Sequence, residues 1–404
     1  MTFPSHRCRD ELLTVTIDGY IAGHRDEAIT ELGGEGFQPV RAPCRGHYRG
    51  ARRVQHPSEA VTETTGGSGN NGNAAVETKR GSEINGAHGR ELTRWRGQGE
   101  ESWQAEAMKV RIGYGLGTRA SCDAEGFSTL VTSLENHRFD SLWLSERVGS
   151  DCPDPIVGLS IAAGLTSKIK LGFSVLVVPG RNPMLLAKQL ATLDRLARGR
   201  LLSAFGLGAV DPGEQQAFGV ARGDRANIFN EVLPLLRRFW AGETVDHDGA
   251  AYRYHQAVVR PVPLQDPLEI WLGGIAPSEI KRCGRLGDGW LPSFCTPEDV
   301  QKGISVIQAT AADHGRILDP EHFGAVVPYC DGPIPDLMAA ALTARRPDVH
   351  PSRVIASGLD RLRQMIGEHI EAGGSKFVVI PVAEPDHWEP HLAEVAEALL
   401  PLQN

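Results

Sequence analysis

The sequence predicts a (β/α)8 (TIM) barrel over residues 108–404, and three observations support this fold class. Short apolar runs and longer amphipathic runs alternate from Met108 to the end of the 404-residue chain. The short runs are apolar almost throughout, which is typical of parallel strands that helices cover. Eight pairs of runs fill this part of the chain, and a barrel of eight such units typically needs about 250 residues.

Each predicted strand is followed by a predicted helix. In chain order, the strands occupy 109–115, 140–145, 169–178, 200–207, 268–272, 288–291, 322–329 and 376–381. The helices occupy 125–138, 155–166, 183–197, 226–240, 277–286, 297–312, 358–372 and 387–399. Asn182 and Pro183 mark the start of the third helix and Gly199 follows its end, in keeping with the preferences of helix termini.

Two stretches are longer than short connections require. The first comprises 211–225 and 243–263, where Val245–Gly249 and Ala251–Tyr254 predict a small β-hairpin. The second, 330–352, is rich in proline and alanine and predicts a helical insertion. If these insertions follow strands 4 and 7, both project from the face that carries the active site, because the loops after the strands build that site.

A doubly wound Rossmann fold is the alternative. The first predicted strand ends in Gly113-Tyr-Gly115-Leu-Gly117, and Glu146 ends the second. The dinucleotide-binding pattern is G-x-G-x-x-G with an acidic residue about 20 residues further on, whereas here the glycines alternate and Glu146 lies about 30 residues on. Tight βα turns need glycine in any case, so the barrel is favoured.

Residues 1–107 differ in composition from the rest of the chain. Leu, Ile, Val and Phe total only 15 of these 107 residues, and 62–75 is a low-complexity string rich in Gly, Asn and Thr. Such a segment cannot offset its ordering entropy by burial, so we expect a disordered extension. Met108 stands where the strand pattern begins and is predicted to be the true start; a genuine disordered extension is the alternative.

Composition excludes several classes of protein. A net charge of −8 argues against a nucleic-acid footprint, and no apolar run is long enough to span a membrane. The seven cysteines form no C-x-x-C pair, and the chain contains no G-x-S-x-G, Walker or H-E-x-x-H motif, so neither a metal site nor a hydrolase is expected. We expect a soluble cytoplasmic protein whose partners are a small organic substrate and, in a homodimer, a second copy.

Glycines and polar residues cluster where the predicted strands end, which is where a barrel binds its ligand. They are Ser145, Glu146 and Arg147 after strand 2, Ser174 and Val175 in strand 3, Gly206, Gly208 and Asp211 after strand 4, Gly273 and Gly274 after strand 5, and Gly287 and Ser293 around strand 6. Glycines at strand ends let backbone N–H groups approach an anion, so they are candidates to bind a cofactor phosphate.

A series of short segments along 108–404 has the order and spacing of a known family. They are Phe139–Ser145, Val178–Pro183, Leu186–Leu196, Gly199–Arg200, Gly206–Gly208, Ile270–Gly274, Arg285–Pro292, Glu371–Gly373 and Phe377–Ile380. With them, residues 108–404 resemble the luciferase-like monooxygenase superfamily, in particular its F420-dependent oxidoreductases.

The resemblance implies coenzyme F420 as the cofactor, and FMN is the alternative. Ser174–Val175 matches a dipeptide that forms a cis peptide bond behind the deazaflavin ring in the family. Gly273, Gly274 and Ser293 match the positions that hold the cofactor phosphate. The implied reaction is hydride transfer between C5 of the deazaflavin and an organic substrate. An FMN-dependent monooxygenase and a non-catalytic flavin- or deazaflavin-binding barrel remain alternatives.

The chain departs from the family at the catalytic positions. Glu146 and Arg147 replace an Asp-His pair, and a substrate-phosphate lysine is replaced near Thr296, so a sugar-phosphate substrate is not expected. We expect Glu146 and Asp211 to point into one pocket, where Glu146 orients the cofactor. Arg147 adjoins Glu146 in the sequence and would oppose a rise in the pKa of that carboxyl group. Asp211 is therefore expected to have the raised pKa and to donate or accept the proton. Arg147 is expected to bind a substrate carboxylate or enolate, or to form a solvated salt bridge.

Overall fold

The computed structural model describes residues 108–404, so the predictions for residues 1–107, including the start at Met108, lie outside the described residues. The strands are β1 (Arg111–Leu116), β2 (Ser141–Leu144), β3 (Lys170–Phe173), β4 (Leu176–Val177), β5 (Leu201–Gly206), β6 (Val245–Asp248), β7 (Arg253–Ala257), β8 (Ile270–Leu272), β9 (Gly289–Trp290), β10 (Gly324–Cys330), β11 (Ala356–Ser357) and β12 (Lys376–Pro381). The helices are α1 (Ala124–Asn136), α2 (Pro155–Leu165), α3 (Pro183–Leu196), α4 (Pro212–Phe218), α5 (Arg225–Trp240), α6 (Pro277–Leu286), α7 (Pro297–Asp313), α8 (Asp336–Arg345), α9 (Leu359–Glu371) and α10 (Trp388–Leu399).

The main sheet is parallel and curled. Its strand order is β11-β10-β12-β1-β2-β3-β5-β8-β9, and β4 also pairs with β5. Two isolated parallel bridges, Trp290 with Phe323 and Ser293 with Val326, bring the far end of the sheet back beside β10. Helices separate most successive strands of this sheet, as the alternation of the sequence predicted; β3 and β4 follow one another without a helix.

The predicted elements agree with the structure within two residues at each end. The predicted third strand is divided, because the backbone leaves the ladder between β3 and β4. β6 and β7 form the predicted antiparallel hairpin, and α8 lies in the predicted helical insertion. Helix α4 was not predicted. Within residues 108–404, no helix is both long enough and apolar enough to span a bilayer.

Two tryptophans fill much of the space inside the curled sheet. Trp143 in β2 is paired with Gly172 in β3, and Trp271 in β8 with Gly289 in β9. A Cβ placed on Gly172 would lie 2.3 Å from Trp143, and one on Gly289 would lie 2.3 Å from Trp271. Each glycine therefore makes room for the indole of the neighbouring strand.

The carboxylate of Glu135, near the end of α1, ties this helix to the segment that leads into β3. It accepts hydrogen bonds from the backbone N–H groups of Ser167 (2.9 Å), Lys168 (3.0 Å) and Ile169 (3.1 Å). Burial opposes ionisation of this carboxyl group, yet these donors lower the pKa of Glu135 to about 2. The ionised form therefore stabilises the fold.

Glu135→Gln is expected to lower the free energy of unfolding by about 1–2 kcal/mol at about pH 7, because a neutral amide replaces a charged acceptor. The contribution of the carboxylate is present above its ordinary pKa of 4.5 and is lost as the pH falls towards 2. Urea unfolding at about pH 7 and about pH 3 measures this loss. Glu394→Gln, an exposed change in α10, is the control, and a Glu135→Gln deficit that is the same at both pH values would contradict the account.

Candidate active site

A cleft opens at the carboxyl ends of β2, β4, β5, β8 and β9, and the residues after these strands line it. The empty volume of the cleft, including the solvent-filled space at its mouth, is about 1220 Å³. Most of the predicted site residues lie here: Glu146, Arg147, Ser174, Val175, Gly206, Gly208, Gly273, Gly274 and Ser293. The glycine-rich strand ends therefore do converge on one cavity.

Val175 forms an apolar floor in this cleft. A Cβ placed on Gly206 would lie 2.4 Å from its Cγ2, and one on Gly273 would lie 3.2 Å from its Cγ1. Neither position has room for a larger side chain unless the valine moves. The Ser174–Val175 peptide bond is cis, as the resemblance implied.

Ser145, which follows β2, holds the segment between β3 and β4 in place. Its Oγ lies 3.1 Å from both the carbonyl oxygen and the Oγ of Ser174. Both serines are buried. The backbone N–H of Glu146 also donates to the carbonyl of Val175 (3.3 Å). The end of β2 therefore fixes the floor to which Val175 belongs.

Glu146 is a buried carboxylate at the edge of this floor, with only 5% of its side chain exposed. Its Oε2 accepts a hydrogen bond from the backbone N–H of Val177 (2.7 Å), and its Oε1 pairs with the guanidinium of Arg181. Burial raises the pKa of Glu146, although Arg181 and the Val177 N–H both favour the ionised form. A buried carboxyl group whose pKa is raised in this way is a candidate for proton exchange.

Arg181, which the sequence analysis did not single out, is held from two directions. Its Nε donates to the carbonyl of Val177 (2.8 Å), and its own carbonyl accepts a hydrogen bond from the hydroxyl of Tyr252 (3.0 Å). Tyr252 lies at the tip of the β6–β7 hairpin, where its N–H donates to Glu231 in α5 (2.9 Å). The hairpin follows α5 rather than a strand, yet its tip reaches the residue that pairs with Glu146.

Asp211 does not line the cleft, which corrects the prediction that it shares one pocket with Glu146. Its Oδ1 caps α4, accepting from the N–H groups of Gly213 (2.8 Å) and Glu214 (3.1 Å). Its Oδ2 lies 3.4 Å from Nη2 of Arg147, and Glu214 lies 3.5 Å from Nε of the same arginine. Asp211 thus lies outside the cleft, at the start of α4, and this position does not favour the proton transfer expected of it.

Arg147 forms a salt bridge, one of the two outcomes expected for it, but the pair is buried rather than solvated. Its side chain is only 8% exposed, and the two carboxylates of Asp211 and Glu214 neutralise it. It does not pair with Glu146, although the two are adjacent in sequence. Arg147 lines the cleft, but it is not the free cation that a substrate carboxylate requires.

Gly287 lies away from the cleft and corrects a second prediction. It ends α6, where its N–H donates to the carbonyl of Cys283 (2.8 Å) and its carbonyl accepts from Arg316 (2.7 Å). It precedes β9, whereas the cleft is built by residues that follow strands. Its glycine serves the helix terminus, where a Cβ would lie 3.1 Å from the Cys283 carbonyl.

The glycine-rich end of the cleft, at Gly273 and Gly274, adjoins Val175 and is suited to an anion. Gly273 and Gly274 lead directly into the N-terminus of α6, and Gly274 has a φ of +93°, which favours glycine. Helix N-termini present backbone N–H groups and a positive dipole to anions. Ser293, after β9, lines the same cleft.

Two buried arginines, Arg282 and Arg225, lie near this end, and neither was predicted from the sequence. Arg282 lines the cleft; its Nε donates to Asn230 (2.7 Å), and its guanidinium lies 5.6 Å from the centre of the Phe229 ring. Arg225 donates from Nη1 to the carbonyls of Gly208 (2.9 Å) and Ala209 (2.8 Å). Its buried Nε has no hydrogen-bond partner within the part of the chain that the structure describes. Both cations add positive potential to the glycine-rich end.

The sequence model of the family described as luciferase-like monooxygenase matches residues 110–372, well over half of the chain. Seven of the nine segments that suggested the resemblance lie within this range, Glu371–Gly373 extends one residue beyond it, and Phe377–Ile380 lies outside it.

Curated relatives match part of the chain at about 30% identity. An uncharacterised protein of Mycobacterium tuberculosis is 31% identical over 189 residues, which cover 46% of this chain and 64% of that protein. The F420-dependent glucose-6-phosphate dehydrogenase of Kineococcus radiotolerans is 32% identical over 189 residues (44% and 55%). The phthiodiolone/phenolphthiodiolone dimycocerosates ketoreductase of M. tuberculosis is 30% identical over 161 residues (39% and 42%). The chain thus spans less than two thirds of the length of these relatives.

Solved structures share the fold. A monooxygenase from Streptomyces bottropensis has a TM-score of 0.60 at 24% identity, covering 72% of this chain and 99% of that one. The coenzyme F420-dependent tetrahydromethanopterin reductase from Methanopyrus kandleri has a TM-score of 0.60 at 19% identity (73% and 100%). At these identities the likeness concerns the fold alone.

Proposed function

The chain belongs to the luciferase-like monooxygenase family, and we propose on that premise that it is an F420-dependent oxidoreductase that transfers a hydride between C5 of the deazaflavin and a small organic substrate. The observation that carries the proposal is the layout of the cleft. An apolar floor adjoins a glycine-rich end suited to an anion, and a buried carboxylate lies at the edge of the floor. This layout suits a planar ring that carries a phosphate.

The strand order and the two isolated bridges favour an eight-stranded barrel. We infer that β1, β2, β3 with β4, β5, β8, β9, β10 and β12 form its eight positions, since the bridges of Trp290 and Ser293 join β9 to β10. The insertions at 211–225 and 330–352 then follow strands 4 and 7, whereas the hairpin follows a helix. Sites of this fold lie at the carboxyl ends of the strands, where the cleft is found.

The residues present fit F420. Val175 offers an apolar surface between two glycines, and a Cβ on either glycine would crowd it. Gly274, Ser293 and Arg282 would hold the phosphate. When bound, the deazaflavin supplies the hydride donor or acceptor, and it does not readily activate oxygen. Relatives at 30–32% identity include a protein named as F420-dependent, which supports F420 over FMN.

Glu146 replaces Asp211 as the proposed proton donor or acceptor. It and Glu279 are the carboxylates that line the cleft within the described part of the chain. Glu279 caps α6 by accepting from the N–H of Ala276 (3.0 Å), whereas Glu146 lies beside the floor. Its carboxylate would take the proton that an alcohol loses as its hydride passes to the cofactor, while Arg181 and the Val177 N–H keep the carboxylate in place.

Turnover separates an enzyme from a binding module. We expect the full chain to change the absorbance of oxidised F420 with an alcohol, or of reduced F420 with a ketone or enone, in a panel of small organic compounds. Tight F420 binding without turnover by any compound would favour a non-catalytic barrel. Oxygen-dependent turnover with reduced FMN, and none with F420, would favour a monooxygenase.

A further inference from the structure

A second cavity, called the side pocket below, lies beside the cleft where β1, β10 and β12 end. Its lining includes Thr118, Arg119, Val326, Met338, Leu342 and Val382. Thr118 and Val326 line the cleft as well, so the two cavities adjoin. A molecule that extends from the cleft past Thr118 and Val326 would therefore enter the side pocket.

The walls of the side pocket are apolar. Phe294, Met338, Leu342 and Val382 are buried, and together with Val354 and Ile355 they form a hydrophobic cluster separate from the barrel core. Two of them belong to α8, so the insertion after β10 builds one wall. Such a surface suits hydrocarbon, because its burial removes apolar area from water.

Arg119 is the cation of this pocket, and within residues 108–404 no carboxylate lies within salt-bridge distance of it. Its Nη1 lies 3.5 Å from the carbonyl of Val382 and 4.0 Å from Sδ of Met338, both at the limit of a hydrogen bond. Burial alone lowers the pKa of Arg119, with no neighbouring charge to offset it. Arg147, in the adjoining cleft, has two carboxylates instead.

Glu384 is the acidic residue of the side pocket, and it is engaged elsewhere. Its Oε2 accepts from the backbone N–H of Ser121 (2.9 Å), and its Oε1 lies 3.5 Å from Sγ of Cys122. Its charge is thus directed towards the start of α1. A half-buried guanidinium without a carboxylate partner is a strong site for a charge-assisted hydrogen bond.

We propose that the side pocket binds the distal part of the substrate, which is an organic acid with an apolar body. Its carboxylate pairs with Arg119, its hydrocarbon lies against Met338 and Leu342, and the carbon that exchanges hydride reaches the cleft past Thr118 and Val326. The assignment of this ligand as the substrate rests on the proposed function. The binding site itself does not.

Calorimetric titration of the full chain, without cofactor, with decanoate and decan-1-ol tests the binding site. We expect decanoate to bind at least about 10-fold more tightly than the alcohol. Arg119→Met should weaken decanoate about 10–100-fold and bring the two ligands level, whereas Arg119→Lys should retain part of the preference. Arg285→Met, an exposed change in the last turn of α6, is the matched control.

Equal affinity of acid and alcohol for the wild type, no binding of either, or unchanged decanoate binding by Arg119→Met would overturn the proposal. Titration of the same variants with F420 separates it from the proposed function. If decanoate depends on Arg119 while F420 does not bind, the acid site stands and the proposed function fails. If F420 binds and turns over while decanoate ignores Arg119, only the substrate class is wrong.

Discussion

Val175→Asp is expected to weaken F420 binding at least about 100-fold, while the domain stays folded. Val175 is only half-buried, so an aspartate there can remain hydrated in the open cleft. A ring lying on the floor would strip that water from the carboxylate, and the cost of desolvation would appear in the dissociation constant. Quenching of deazaflavin fluorescence measures the affinity, and thermal unfolding checks the fold.

Val157→Asp is the matched control for this variant. It makes the same change at a 60% exposed position in the first turn of α2, where a negative charge is tolerated. F420 affinity of Val175→Asp within about 10-fold of the wild type would show that the ring does not lie on Val175.

Glu146→Gln is expected to lower turnover about 10²–10⁴-fold, because it removes the carboxylate assigned to proton transfer. It should also weaken F420 binding, since one amide cannot accept hydrogen bonds from both Val177 and Arg181 with the same strength. Steady-state assays with F420 and an accepted substrate measure both effects. Asp211→Asn provides the contrast, with nearly full turnover and a loss of stability of about 1 kcal/mol, because asparagine still caps α4 but lacks the charge that faces Arg147.

The pH dependence follows from the raised pKa of Glu146. If its ionised form accepts the proton during oxidation, turnover rises with pH through that pKa. The rise should then lie above the ordinary range of a glutamate, and Glu146→Gln should lack it. Full activity of Glu146→Gln, or a large loss of turnover in Asp211→Asn, would show that a group other than Glu146 accepts the proton.

The order of the strands and most of the cleft were accessible from the sequence because both depend on local patterns. Apolar runs define the strands, and the fold brings their carboxyl ends together whatever follows them. Residues at or just beyond a strand end, such as Gly206 and Glu146, were therefore placed in the cleft correctly. Gly287 was misplaced because it precedes its strand, and glycine at a helix terminus looks the same in sequence as glycine at a binding site.

Pairing between distant residues was not accessible in this way. Arg147 is adjacent to Glu146 but pairs with Asp211 and Glu214, whereas Arg181, 35 positions from Glu146, pairs with it. The way in which the loops fold over the ends of the strands decides which carboxylate pairs with each arginine. One signal was overlooked: Asp211, Pro212 and Glu214 have the spacing of a helix N-terminus, which explains Asp211 without catalysis.

Competition between F420 and FMN for the full chain tests the central claim most directly. The account predicts that F420 binds with quenched fluorescence, and that about a 100-fold excess of FMN displaces little of it. Micromolar binding of FMN together with no binding of F420 would contradict the account and assign the cleft to a flavin.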